Sequence, residues 1–362
     1  MIIKSFKAQN FRNIEKCSLE FDKSVNILLG ENAEGKTNAV EGIYLFARGR
    51  SFRRGDEKDL VRFGEGGFNI SIEYEDKDGV NLLEYAAYGR ERRRKKNGYR
   101  LSKASEMVGS FKAVLFSPDD LTLVKGGPEE RREFLNVAIS QCYPSYISVY
   151  SDYKKALENR NSLLKNASKG MYFDERELEM WSLSLSEYAS HIYLRRKEYL
   201  NKLEVYAKSF MSNISEGKEE LIISYKSDIE PFENESREKI KECYEKVFSE
   251  NIIKERLAGV TLYGPHRDDI LIKINGNDAR IFSSQGQQRS IVLSLKMAEG
   301  EVSRDLFSEY PVFLFDDVLS ELDEKRQNFV LGGMKDRQII ITSCERLRTA
   351  GKVIEVKGGS FS

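Results

Sequence analysis

The 362 residues carry 58 Lys plus Arg against 58 Asp plus Glu, a formal net charge of zero, with 32% charged and 40% hydrophobic residues. That mixture buries a large core beneath an ionic surface, and it excludes both a disordered chain and a protein that coats nucleic acid through global charge. A local basic face stays open, and the length suits two domains or one large discontinuous one.

The opening stretch Met1-Ile2-Ile3-Lys4-Ser5-Phe6-Lys7 has no extended apolar region of the secretory kind. It starts a series of β-rich stretches instead: Ile2 to Phe6, Cys17 to Phe21, Val25 to Leu29, Phe68 to Tyr74 and Asn81 to Tyr88. The third runs into Gly30-Glu31-Asn32-Ala33-Glu34-Gly35-Lys36-Thr37, which satisfies G-x-x-x-x-G-K-[ST], and Asn38 to Tyr44 reads as the helix that follows. The chemistry needs this order. A loop without bulky side chains lets successive backbone N–H groups wrap a phosphate at the positive end of a helix. Lys36 then neutralises the β and γ oxygens while Thr37 places a hydroxyl on Mg²⁺, so ATP and Mg²⁺ are the expected cofactors.

Arg48, Arg50, Arg53 and Arg54 come next, a cluster suited to the nucleotide base or to an interface. Residues 90–103 hold eight basic side chains against one acid, Glu91. Lys96-Asn97-Gly98-Tyr99 predicts a tight hairpin there, because Asn-Gly accepts positive φ angles. Alternate residues of a strand face opposite sides, so about four cations share a face. Arg92, Arg93, Arg94, Lys95 and Lys96 are therefore the candidate DNA-binding residues, reading the phosphate backbone rather than the bases.

The middle of the chain is helical. Leu178, Trp181, Leu185, Tyr188, Ile192, Tyr199, Leu203, Tyr206 and Phe210 form one stripe of a helix about 50 Å long, and Asp174 with Glu177 predicts a capping box at its start. Ile240, Tyr244, Val247 and Leu257 predict a second helix over 240–257 that stops before Gly259. Both stripes read as core packing in a helical lobe, and no heptad run is long enough for a coiled-coil arm. Lys273-Ile274-Asn275-Gly276-Asn277 repeats the hairpin signal. Ser283-Ser284-Gln285-Gly286-Gln287 then opens a helix through Glu299, a second anion site by the same dipole logic. One γ-phosphate does not need two such sites in one subunit, and this one suits the nucleotide of a second copy.

Pro311-Val312-Phe313-Leu314-Phe315-Asp316-Asp317 is an apolar strand ending in two carboxylates. Asp316 is expected to hold Mg²⁺ with Thr37, and Asp317 to orient or deprotonate the attacking water, with Lys36 completing the catalytic set. The first and last thirds thus read as two parts of one α/β unit with a helical lobe inserted. The expected division sets residues 1–116 with 300–362 against 117–299. Cys17, Cys142, Cys243 and Cys344 include no CxxC pair, and His191 and His266 alone cannot build a multi-histidine metal centre. No apolar run approaches the roughly 18 residues a membrane span needs. A cytoplasmic protein without a membrane partner is expected.

The order of phosphate loop, Ser-x-Gly-Gln turn and acidic strand, with Ser320-Glu321-Leu322-Asp323 after it, resembles the ABC ATPases of the SMC class. Within these it is most similar to the RecF family. The similar segments include Asn10-Phe11-Arg12-Asn13, Gly30 to Asn38, Phe116 to Leu121, Gly127 to Leu135, Gly264-Pro265-His266-Arg267-Asp268-Asp269, Ser284 to Arg289 and Asp316 to Asp323. The resemblance implies an ABC-type P-loop ATPase head with an inserted, mostly helical lobe and no long coiled coil. It implies an ATP-dependent homodimer, each nucleotide lying between Lys36, Thr37 and Asp316 of one subunit and Ser284 and Gly286 of the other. Arg12 then touches the phosphates and Asp323 communicates across the interface, with Ser320 in the same loop. It also implies binding of double-stranded and gapped DNA, slow ATP hydrolysis, and cooperation with RecO and RecR in loading RecA at single-stranded gaps.

Ala33 stands where many such loops carry Gly, and Gln285 stands at the first Gly of the transporter signature. Thr342 and Ser343 follow strand Ile339-Ile340-Ile341 where a switch His is usual, and no Q-loop glutamine occurs near Ser117. The alternative, the nucleotide-binding subunit of a membrane transporter, would need the standard signature and the switch His. A small-molecule kinase would have no use for the Ser284 helix.

Overall fold

The computed structural model of the chain describes residues 1–53, 55–229, 236–333, 336–347 and 349–362. Strands β1 (Ile2–Phe11), β2 (Ile14–Glu20) and β3 (Val25–Leu29) lead into helix α1 (Lys36–Arg48), followed by β4 (Gly67–Asp76), β5 (Gly79–Tyr88), β6 (Glu91–Lys96) and β7 (Tyr99–Leu101). After β8 (Ala113–Phe116) come α2 (Thr122–Lys125), α3 (Pro128–Cys142), α4 (Ser145–Ser168) and α5 (Glu175–Ser215). The chain continues through β9 (Leu221–Lys226), α6 (Arg237–Glu250), α7 (Ile252–Ala258), β10 (Asp269–Ile274), β11 (Asn277–Asp278), α8 (Ala279–Phe282) and α9 (Gln285–Phe307). Last are β12 (Val312–Phe315), α10 (Glu324–Gly332), β13 (Ile339–Ser343), β14 (Lys352–Lys357) and β15 (Ser360–Phe361).

Two sheets sandwich α1. The strands that read as continuous apolar runs form a sheet in the order β15-β14-β3-β13-β12-β8, parallel except at the β14–β15 pair. β8, β12 and β13 are buried along their whole length, as parallel strands covered on both faces must be. The alternating strands form an antiparallel sheet, β2-β1-β4-β5-β6-β7, whose inner face packs Phe6, Phe11, Phe68 and Tyr74 against Ile43 and Phe46 of α1. Phosphate-loop strand and acidic strand, far apart in sequence, thus end at the same edge of one sheet, with β13 between them.

The second lobe is built on α5, whose 41 residues give a length of about 60 Å. Its buried stripe of Leu185, Ile192, Tyr199 and Leu203 lies within a core shared with α4, α6 and α9. No long coiled coil leaves the lobe among the described residues. α9 is buried on nearly all sides and crosses residue 300 to reach Phe307, so the expected boundary at 299 and 300 falls inside one helix. The helix expected over 240–257 is two helices, broken at Asn251. That side chain bonds the carbonyl of Val247 at 2.8 Å, the local competition that makes Asn a poor helix interior. Asp174 does cap α5, accepting from the N–H groups of Arg176 and Glu177. Glu177 does not close a box; it accepts the Trp181 indole N–H at 3.2 Å. Both Asn-Gly hairpins form, with φ of 51° and 83° at Asn97 and Gly98, and 49° and 79° at Asn275 and Gly276.

Candidate active site

The phosphate loop is clamped from both sides. A Cβ at Gly30 would lie 2.2 Å from the Val356 carbonyl oxygen of β14, so only glycine admits this close approach. Gly35 has φ 113° and Ala33 φ 68°, and Asn13 bonds the Ala33 carbonyl at 3.1 Å and accepts from Asn38 at 2.6 Å. On the far side the Glu34 carbonyl accepts from Gly359 N at 2.8 Å, and its carboxylate accepts from Gly358 N. Lys36 is nearly buried and donates to the carbonyls of Gly30 (2.7 Å) and Glu31 (2.9 Å), with Cys344 Sγ at 3.4 Å. Cys344 in turn donates to Asn32 Oδ1 at 3.0 Å.

At the end of β12, Thr37 Oγ1 donates to Asp316 Oδ1 at 2.8 Å, joining the two motifs. Burial pushes the Asp316 carboxyl above its usual range; the Thr37 bond works against this and the neighbouring Asp317 charge adds to it. Asp317 sits at φ 53°, in the left-handed region, with its N–H on Thr342 Oγ1 at 2.8 Å. The Thr342 hydroxyl lies 3.0 Å from Asp316 Oδ1 and 3.2 Å from Asp317 Oδ1, so this β13 residue orders both carboxylates. Its position at the end of a buried apolar strand was the available sequence signal. Ser320 Oγ donates to the Asp317 carbonyl at 2.9 Å.

Arg12 is not free at the loop. Its guanidinium forks onto Glu41 of α1, Nε to Oε2 at 3.0 Å and Nη2 to Oε1 at 2.6 Å, while Nη1 donates to the Asp59 carbonyl. Beside Asp316, Ser117 follows β8 and donates N–H and hydroxyl to Asp120, whose other oxygen is 3.4 Å from Lys296 of α9. Lys296 also faces Glu299 at 3.7 Å.

Ser284 caps α9 and closes a true capping box: its Oγ accepts from Gln287 N, and Gln287 Oε1 accepts from Ser284 N at 2.8 Å. Ser284 and Gln285 are exposed, Gly286 is half-buried, and Gln287 donates onward to Glu219 at 2.8 Å. Asp323 caps α10, and Arg326 one turn later reaches the Gly286 carbonyl (3.1 Å) and Ser290 (2.9 Å), which ties the acidic-strand loop to the Ser284 turn.

The basic hairpin divides by face. Arg92 and Arg94 turn inward onto Glu57, Arg94 lying 4.5 Å over the Tyr85 ring, and Lys96 donates to Ser110. Arg93, Lys95 and Arg100 point out, Arg93 bonded to Glu91. Five consecutive cations therefore do not make one surface. Of the second cluster, Arg48 and Arg50 bond Glu133 and Arg53 bonds Asn38, along the rim of a cleft of about 690 Å³; Arg54 lies outside the described residues.

Over residues 2–357 the chain matches the family described as RecF/RecN/SMC N terminal domain. It is 38% identical over 345 residues to the DNA replication and repair protein RecF of Clostridioides difficile (strain 630), covering 95% of this chain and 92% of that one. The same identity holds over 368 residues with RecF of Bacillus thuringiensis (strain Al Hakam), covering 99% and 98%. Among solved structures it superposes on the recombination mediator protein RecF-ATP of the RecFOR pathway with TM-score 0.93 at 34% identity, covering 100% and 97%. An Smc head domain from Pyrococcus furiosus shares the fold at TM-score 0.57 and 17% identity. Fold and site together define an ATPase head of the SMC type. Within that class the chain belongs to the RecF family of DNA replication and repair proteins, and the transporter-subunit alternative finds no support.

Proposed function

We propose that this chain is an ATP-driven DNA clamp of recombinational repair, which closes as a homodimer on ATP and reopens when slow hydrolysis empties the site. The observation that carries the reading is the split of the phosphate-binding machinery. The Gly30–Asn38 loop and Asp316 form one half, while the exposed Ser284 turn is bonded to its own helix, to Glu219 and to Arg326 of α10 rather than to the Gly30–Asn38 loop. In this reading a second copy supplies Ser284, Gln285, Gly286 and Gln287 to the γ-phosphate held by Lys36. Thr37 and Asp316, two hard oxygen donors 2.8 Å apart, suit Mg²⁺, which needs few protein ligands. Bound there, Mg²⁺ would neutralise charge on the β and γ oxygens. Asp317 orients the water, Ser320 and Asp323 carry occupancy to the dimer interface, and DNA lies on the outward basic face. DNA stimulation of hydrolysis, gapped or junction DNA as target, and cooperation with RecO and RecR in loading RecA complete the reading.

The test weighs the particle in solution with and without ATP, for wild type, Lys36→Ala and Ser284→Arg, and then titrates duplex DNA. Wild type alone is expected to dimerise on ATP, with DNA binding following the dimer. A monomer that binds DNA equally well without nucleotide rules the clamp out.

A further inference from the structure

Glu41 is fully buried on α1, one helical turn beyond Thr37, and both of its oxygens are occupied. Oε1 accepts from Arg12 Nη2 and from the Ser51 hydroxyl; Oε2 accepts from Arg12 Nε and lies 3.5 Å from Arg53 Nη1. An isolated carboxylate in that position would be expelled or neutralised, so its charge is there for its partners. Those partners are wired to the phosphate loop. Arg53 Nη1 donates to Asn38 at 2.9 Å, Asn38 donates to Asn13, and Asn13 donates to the Ala33 carbonyl. Arg12 has its backbone at φ 55° because it is the first residue of the two-residue turn that joins β1 to β2, which places its side chain at the flank of the loop.

One carboxylate, Glu41, faces two guanidiniums, and Arg53 also feels the Asp316 carboxylate, so two cations are held in fixed directions beside the loop that is to receive a polyphosphate. A bidentate carboxylate fixes the plane and direction of a guanidinium as no neutral acceptor does.

We propose that Glu41 is a positioning residue for ATP: it presets Arg12 and Arg53 as a rigid cationic pair at the flank of the phosphate loop, and ATP affinity depends on the direction in which it holds them. The inference rests on the proposed nucleotide site and adds a residue to it.

The test titrates MgATP into the full chain and measures steady-state hydrolysis, for wild type, Glu41→Gln, Arg12→Ala and the double variant. Glu41→Gln keeps the shape and removes the charge; its ATP Kd and KM are expected to rise about tenfold with kcat within about twofold. Arg12→Ala in the Glu41→Gln background should weaken ATP by much less than it does alone, because the arginine is no longer held. A purely structural Glu41 would lower the melting temperature and leave ATP affinity of the folded protein unchanged, and that result overturns the proposal. So does a double variant whose losses simply multiply. If Glu41→Gln does not fold, Glu41→Asp, which withdraws the same charge by one methylene, replaces it with the same expected rise and the same overturning result. Wild type that fails to bind ATP would sink the nucleotide site itself, whereas wild type that binds with Glu41→Gln binding equally sinks only this inference.

Discussion

Asp316 and Asp317 are adjacent, yet the fold gives them different surroundings. Asp316 continues the strand, is nearly buried and is tied to Thr37; Asp317 is turned by its left-handed backbone and fastened through its N–H to Thr342. That turn gives the two carboxylates different directions from one strand end. We expect Asp317→Asn to slow hydrolysis about 100-fold or more while ATP binding stays within a few-fold, since a group that positions water acts after binding. Single-turnover hydrolysis beside an equilibrium nucleotide titration checks it, and unimpaired turnover removes Asp317 from the water-orienting role. Lys36, Thr37, Asp316 and Ser284 were legible as residues because each belongs to a fixed local spacing. Glu41 was not: a glutamate on a helix reads as a solvated side chain, and only Arg12, Ser51 and Arg53, brought in by separate segments, make it a buried hub.

α9 carries the Ser284 turn at one end and, three turns on, a buried charge cluster that faces the segment after β8. Lys296 keeps its charge there, held above the ordinary lysine range by Asp120 and Glu299 although burial works against it. Burial pushes the Glu299 carboxyl up to about 7 even with Lys296 beside it. The folded chain therefore holds that proton more tightly than the unfolded chain does. Stability falls as pH rises from the ordinary carboxylate range, about 4.3, through about 7, and the full cost stands above it. Glu299→Gln escapes that cost, so it should gain on the order of 2 kcal/mol more at pH 8 than at pH 5. Calorimetric melting at the two pH values decides it; a gain equal at both would show that Glu299 is already ionised below pH 5. Element boundaries were legible where turn chemistry is local, as at both Asn-Gly hairpins. The break at Asn251 was masked by Ile240, Tyr244, Val247 and Leu257, whose spacing fits one helix, while the break lies in the hydrogen bond Asn251 makes to Val247.

Across the whole molecule the zero net charge is a sum over distinct faces, and the hairpin shows how a run of cations is spent. Period two and the Asn-Gly turn were readable in the sequence. That Glu57 would draw Arg92 and Arg94 inward was not, because it sits on a different segment. The three outward cations of β6 and β7, Arg93, Lys95 and Arg100, would make six in a dimer; if half of them reach phosphates, replacing all with Gln should lower the salt slope of DNA affinity by about 3. Replacing Arg92 and Arg94 should cost stability and leave that slope alone. DNA titrations across a salt series test both, and an unchanged slope for the outward set moves the DNA elsewhere. One last property follows from the position of β3, which lies between β13 and β14 in the parallel sheet. Both neighbours of the phosphate-loop strand are translated more than 300 residues after it. During synthesis the loop's residues leave the ribosome early but have no sheet to hold them, and α4, α5 and α6 can already pack together while β3 waits. Contacts of such long sequence separation form late and slowly. The nascent chain is thus unable to cradle a phosphate until β13 and β14 have been made, and a chain halted before β13 exposes an unpaired apolar strand rather than a half-working ATPase.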